Sequence, residues 1–142
     1  MRSHLPSNLI ATRIENRVGG GIPDVHLLWD GLPFWMELKT TKNNTIKISP
    51  QQIAWNYKYS INGGLNFFLG KHLFWSDLFL FRGDQGSRLL DQGLCALAPF
   101  YTLRVCDFTS FFASLRPIVL AHYKKKLETV PAPKGRTDKE TG

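Results

Sequence analysis

Apolar and polar positions along this chain fall into short runs separated by glycine, proline and polar clusters. Residues 7–14 are weakly patterned and fit either a helical turn or a first strand. Gly19, Gly20 and Gly21 then interrupt both helix and strand, because glycine gives the backbone too much freedom for either. An apolar run over Val25–Trp29 is followed by Asp30 and Gly31, a hairpin-turn pair, and by a second run over residues 34–40 after Pro33. The pattern predicts an antiparallel hairpin of Val25–Trp29 against residues 34–39. Residues 41–47 are polar and basic, as in a loop or a fraying strand end. Ser49 suits a helix N-cap and Pro50 the first helical position, so a helix over Pro50–Ile61 is expected, with Ile53, Tyr57 and Ile61 on its apolar face. Asn62, Gly63 and Gly64 end it. Residues 65–69 and Asp77–Arg82 read as strands, and residues 83–93 as a loop. A last helix is expected over residues 107–127, kinked or broken before Pro117. Past residue 128 the chain turns to proline, glycine, threonine and charge, the composition of a disordered tail.

Strands alternating with helices make an α/β domain with a small mixed sheet flanked by helices. The length of 142 residues fits one domain over residues 1–128 plus the tail at 129–142. Eighteen Lys and Arg against eleven Asp and Glu give a formal charge of +7, which favours a polyanionic partner such as nucleic acid or an anionic membrane surface. No apolar run reaches the ~20 residues of a bilayer span. The N-terminal MRSHLPSNLI has no apolar core of the signal-peptide kind. Cys95 and Cys106 lack the spacing of a zinc site or a disulfide framework, so the cytoplasm is the expected compartment.

The stretch that carries chemistry is Gly21-Ile-Pro-Asp24 and then Glu37-Leu-Lys39. Strand residues two apart share a face, so Glu37 and Lys39 point together while Leu38 points into the core. A turn at Asp30 and Gly31 returns Asp24 to the same end of the hairpin. Two carboxylates can hold Mg²⁺, a hard cation that keeps several of its waters, and the Leu38 backbone carbonyl can add a ligand. The metal would acidify a bound water and neutralise phosphodiester charge, while Lys39 positions or deprotonates the water and stabilises the transition state. A Glu and Lys two apart on a strand also describe an ordinary solvated face. The glycine turn, Pro-Asp pair and hairpin in sequence make the catalytic reading sharper.

These residues resemble a known family. Pro23-Asp24 with Glu37-x-Lys39 looks like the active-site signature of the PD-(D/E)xK nuclease superfamily. With Ile48-Ser-Pro-Gln-Gln52-Ile-Ala-Trp55 following, the chain resembles the VRR-NUC and archaeal Holliday-junction-resolvase-like branch, whose domains show a Gly-Pro-Asp turn, an E-x-K strand and an SPxQ helix start. The resemblance covers residues 13–69; residues 70–142 have no counterpart in it. It implies a restriction-endonuclease-like core, with Asp24 and Glu37 as metal ligands and Lys39 as the catalytic lysine. It also implies that Gln52 orients the water or touches the scissile phosphate, unless Gln52 is an ordinary exposed helix residue. Many members carry a further acid on an N-terminal helix. Glu15 is the single carboxylate before Asp24 and thus the candidate, the alternative being an ion pair with Arg13 or Arg17. Members occur as small stand-alone phage proteins, which would place this chain in the cytoplasm of a host cell.

The resemblance implies a Mg²⁺-dependent DNA endonuclease, with Mn²⁺ able to substitute, that leaves 5′-phosphate and 3′-hydroxyl ends. A Holliday-junction resolvase, a homing endonuclease, or a non-catalytic DNA-binding module on the same fold are the alternatives. Arg13, Arg17, Lys42, Lys47 and Lys58 flank the site and can neutralise phosphates, and Asn43 and Asn44 can reach sugar or base edges. No GxxxxGK[ST] is present, so no nucleotide cofactor is expected. Cutting two strands takes two sites, so a homodimer is expected, with Phe108, Phe111, Phe112 and Leu115 either forming its interface or packing on the sheet.

Overall fold

The computed structural model describes residues 5–14, 20–96, 99, 101–104 and 108–129. The weakly patterned first segment is a strand, β1 (Leu9–Arg13). It is followed by β2 (Val25–Trp29), β3 (Leu32–Thr41), α1 (Pro50–Ile61), β4 (Asn66–His72) and β5 (Asp77–Arg82). Then come a 3₁₀ turn (Gly83–Gln85), α2 (Gly86–Ala96), β6 (Tyr101–Arg104) and α3 (Phe108–Thr129). The strands form one sheet in the order β1-β2-β3-β4-β5-β6. Every pairing is antiparallel except β3 with β4, which run parallel. The crossover that parallel pairing demands is α1. The protein is therefore α/β, a small mixed sheet flanked by helices, as expected.

Side-chain alternation gives the sheet two buried faces. Phe34 and Met36 of β3, Phe67 of β4 and Leu80 of β5 lie on the face that α3 covers with Phe111, Phe112, Leu115 and Val119. Phe68 and Phe81 lie on the other face, under Ile46, Ile48, Leu89 and Leu94. The aromatic stripe of α3 thus packs on the sheet: Phe111, Phe112 and Leu115 are all buried and cannot form a subunit interface. Two polar contacts fix α3 against the hairpin. Arg116 pairs with Asp30 at 2.7 Å, and the Tyr123 hydroxyl donates to the Pro33 carbonyl. The helix runs as one element through Pro117, so of the expected kink or break there is no break.

Other expectations change as well. Residues 83–93 are the 3₁₀ turn and most of α2 rather than a loop. Asn44 anchors this helix from outside. Its side chain accepts the Cys95 N–H at 2.6 Å and donates to the Gln92 carbonyl at 3.2 Å, while its backbone carbonyl accepts the Leu94 N–H at 2.9 Å. On α1, Tyr57 and Ile61 are exposed and the fully buried residue is Asn56. The helix turns a polar edge, Gln52 and Asn56, toward the sheet, because β4 opens with Asn66 as a partner. The tail at 129–142 has only Thr129 within the described residues. No helix among the described residues is long and apolar enough to cross a membrane.

Candidate active site

The hairpin sets the position of the carboxylates. Asp30 and Gly31 both take positive φ, 51° and 78°, so a tight turn fixes β2 against β3 in the register Val25↔Met36. The next position back, Asp24, then faces Glu37. The Leu38 N–H donates to Asp24 Oδ2 at 3.1 Å, and the Ile14 N–H donates to the Asp24 backbone carbonyl at 2.7 Å. The approach to Asp24 is equally constrained. Gly21 has φ 105°, and a Cβ there would lie 2.7 Å from the Gln51 carbonyl oxygen, so only glycine lets this turn rest on the first turn of α1.

Glu37 is 1% exposed. Its Oε2 lies 4.0 Å from Lys39 Nζ, and its Oε1 is buried with no hydrogen-bond partner. Burial pushes the Glu37 carboxyl up to about 8, and the hydrogen bond and negative charge of Asp24 push in the same direction, with Lys39 opposing them. Leu38 does not enter the core: it is 48% exposed, because this end of the α3-side face extends past the cluster that α3 covers.

Lys39 is held from α1. Its Nζ lies 3.0 Å from Gln52 Oε1, and the same oxygen accepts the Ser49 N–H at 3.0 Å. The Ser49 hydroxyl oxygen in turn accepts the Gln52 N–H at 3.1 Å, completing a capping box. The polar chain continues inward. Asn56 Nδ2 donates to the Gln52 carbonyl at 2.8 Å, and Asn66 Nδ2 donates to both Asn56 oxygens at 2.9 Å. Sequence reasoning missed Asn56 and Asn66. The available signal was the polar spacing of four from Gln52 to Asn56 on this helix.

A row of rings walls the site. His26 meets Trp35 at 4.6 Å, Trp35 meets Trp55 at 5.6 Å, and Trp55 stacks on Tyr59 at 5.0 Å. Trp35 is two residues before Glu37 and shares its face, so the row flanks the carboxylates. Lys42 and Lys47 are exposed in the loop after β3, Arg13 is exposed at the end of β1, and Lys58 is exposed on the last turn of α1. The Asn43 side-chain oxygen is taken by Thr41 Oγ1 at 3.0 Å and the Thr45 N–H at 2.8 Å, so it shapes the loop. Glu15 and Arg17 lie outside the described residues. A cavity of about 430 Å³ between α1, β4 and α3 lies on the other face of the sheet, against Phe67 and Ile118.

The donor set fits a hard divalent cation. An unpartnered buried carboxylate oxygen beside a second carboxylate is satisfied by a proton or by a cation; with its carboxyl raised to about 8, Glu37 keeps a proton at neutral pH that a cation would displace. Among the described residues no three metal-ligating side chains converge.

No family model matches the chain, and no curated protein matches it. Among solved structures, the chain is similar to Hjc, a Holliday junction resolvase from the archaeal hyperthermophile Archaeoglobus fulgidus, with a TM-score of 0.42 and 15% identity. The similarity covers 53% of this chain and 63% of the resolvase, so the chain spans less than two thirds of that protein.

Proposed function

We propose that this protein is a Mg²⁺-dependent DNA endonuclease whose reacting groups are Asp24, Glu37 and Lys39. The observation that carries the reading is the buried Glu37 Oε1, which has no partner, set beside Asp24 and a lysine oriented by Gln52. A DNA-binding module has no use for two carboxylates facing phosphates, since they repel the backbone it must hold.

Asp24, Glu37 and the Leu38 carbonyl would hold Mg²⁺, with Mn²⁺ as a substitute. Bound there, the ion would polarise the phosphodiester and acidify a water. Glu37 gives up its proton to serve as a ligand, and Asp24 holds the β2 side of the site through the Leu38 N–H. Lys39 Nζ, steadied by Gln52, donates to a non-bridging phosphate oxygen and orients the attacking water. The water oxygen bonds to phosphorus and releases its proton to bulk water, the bond from phosphorus to the 3′ oxygen breaks, and that oxygen takes up a proton from bulk water. The products are a 5′-phosphate and a 3′-hydroxyl. Lys42 and Lys47, just past the catalytic strand, neutralise neighbouring phosphates, with Arg13 and Lys58 further out. One chain carries one such site, so cutting both strands takes two copies.

Supercoiled plasmid, linear duplex, single strand and a four-way junction are incubated side by side with Mg²⁺ or with EDTA. The reading expects metal-dependent cleavage of at least one. Binding without cleavage in Mg²⁺ and in Mn²⁺ on all four leaves the chain a binding module.

A further inference from the structure

The connection from β4 to β5 carries Leu73, Phe74 and Trp75 in succession. Phe74 is 75% exposed, and Leu73 and Trp75 are each nearly half exposed. Three large apolar side chains at one loop tip are an unfavourable use of surface unless something covers them. The tip is also held in place. Lys71 Nζ donates to the His72 and Trp75 carbonyls, the Phe74 N–H donates to His72 Nδ1 at 3.2 Å, and the Leu73 N–H donates to the Thr41 carbonyl at 2.8 Å. The His72 ring stacks on Trp75 at 4.1 Å with 14° between planes.

Its location ties the tip to the active site. The parallel register pairs Glu37 with Phe68, Lys39 with Gly70 and Thr41 with His72, so Glu37, Lys39 and His72 present side chains to one face. His72 lies one strand across and two residues on from Lys39, roughly 8 Å between Cα atoms by the spacing of strands. Both groups sit at the carboxyl ends of the parallel pair, where α/β sheets present their ligands. Exposed Lys42 directly follows Thr41, whose carbonyl accepts the Leu73 N–H, so positive charge stands beside the tip.

We propose that Phe74 is a stacking platform for an unpaired base of DNA held at the site. This rests on the nuclease reading above. Bases in continuous duplex are stacked on one another and must be pulled out at a cost, whereas an unpaired base can lie on a fixed ring directly. The pinned loop loses little freedom when it does so.

The test compares a blunt duplex with the same duplex carrying a single-stranded tail, with 2-aminopurine at the first unpaired position and Ca²⁺ in place of Mg²⁺. Phe74→Ala should lose about tenfold in affinity for the tailed DNA, the order of one base–aromatic stack. Its affinity for blunt duplex and its Tm should not move. Phe74→Trp should restore the affinity, and 2-aminopurine should be quenched by wild type and Phe74→Trp alone. Unchanged tailed-DNA affinity in Phe74→Ala, an equal loss on both DNAs, or a concentration-dependent dimer that Phe74→Ala dissolves overturns the proposal. Wild type that binds both DNAs, with Phe74→Ala indistinguishable from it on each, removes the stacking role alone. Wild type that binds neither DNA removes the nuclease reading with it.

Discussion

Lys39 Nζ and the N–H of Ser49 converge on one oxygen, Gln52 Oε1, each at 3.0 Å. The group that caps α1 is therefore the group that aims the lysine. Gln52→Glu keeps the capping box, since glutamate serves at that position as well as glutamine. It also puts a carboxylate against the ammonium. Thermal stability should hold while cleavage falls by about 10- to 100-fold, because Lys39 is drawn into an ion pair away from the phosphate. Gln52→Ala should lose both, with a stability cost of about 1 kcal/mol. Melting curves and single-turnover rates on the same samples check this; equal activity in wild type and Gln52→Glu would remove Gln52 from the site.

The raised carboxyl of Glu37 sets a pH dependence of stability in metal-free buffer. The folded state keeps its proton up to about 8, while the unfolded chain releases it near 4.5. Between those values the unfolded state binds fewer protons, so stability is greatest below 4.5 and falls as pH rises through 8. Glu37→Gln should abolish that slope. Mg²⁺ should raise Tm more at pH 8.5 than at pH 6, where it competes with the proton. A metal-free Tm that rises across this window in wild type would contradict the account.

Gly21→Ala should disturb both fold and site. The new methyl meets the Gln51 carbonyl at 2.7 Å, and the backbone sits at φ 105°, where a side chain adds strain of order 1–3 kcal/mol. The turn would shift away from α1 and carry Asp24 with it. Both Tm and the apparent Mg²⁺ affinity should fall; a loss of Tm with metal affinity intact would separate the turn from the carboxylate.

Leu115 tests the role of the α3 stripe. It is fully buried, so Leu115→Ala should cost about 2–5 kcal/mol. The mass in light scattering should not change, because the stripe packs on the protein's own sheet. A folded variant of altered oligomeric state would reopen the stripe as an interface.

The hairpin, α1 with its caps, and the meeting of Asp24, Glu37, Lys39 and Gln52 were legible because each depends on local chemistry. Asp30 and Gly31 suit a turn of positive φ, and Ser49, Pro50 and Gln52 suit a helix start. The rest depends on tertiary partners. Glycines at 83, 86 and 93 disguised α2, whose end is secured by Asn44 about fifty positions away in the chain. Leu38 read as core because alternation places it opposite Glu37, but alternation does not tell how far a covering helix reaches. Asn66 opens a strand where an apolar residue is the usual choice, and only its bonds to Asn56 explain it.

The most direct measurement is single-turnover nicking of supercoiled plasmid by wild type and Asp24→Asn, in Mg²⁺, at protein concentrations giving equal DNA occupancy. The account predicts metal-dependent nicking by wild type, with Asp24→Asn bound at least as tightly and slower by about a thousandfold or more, as expected when a ligand for transition-state charge is lost. Equal rates for the two proteins, or no nicking by wild type under any divalent metal, would contradict it.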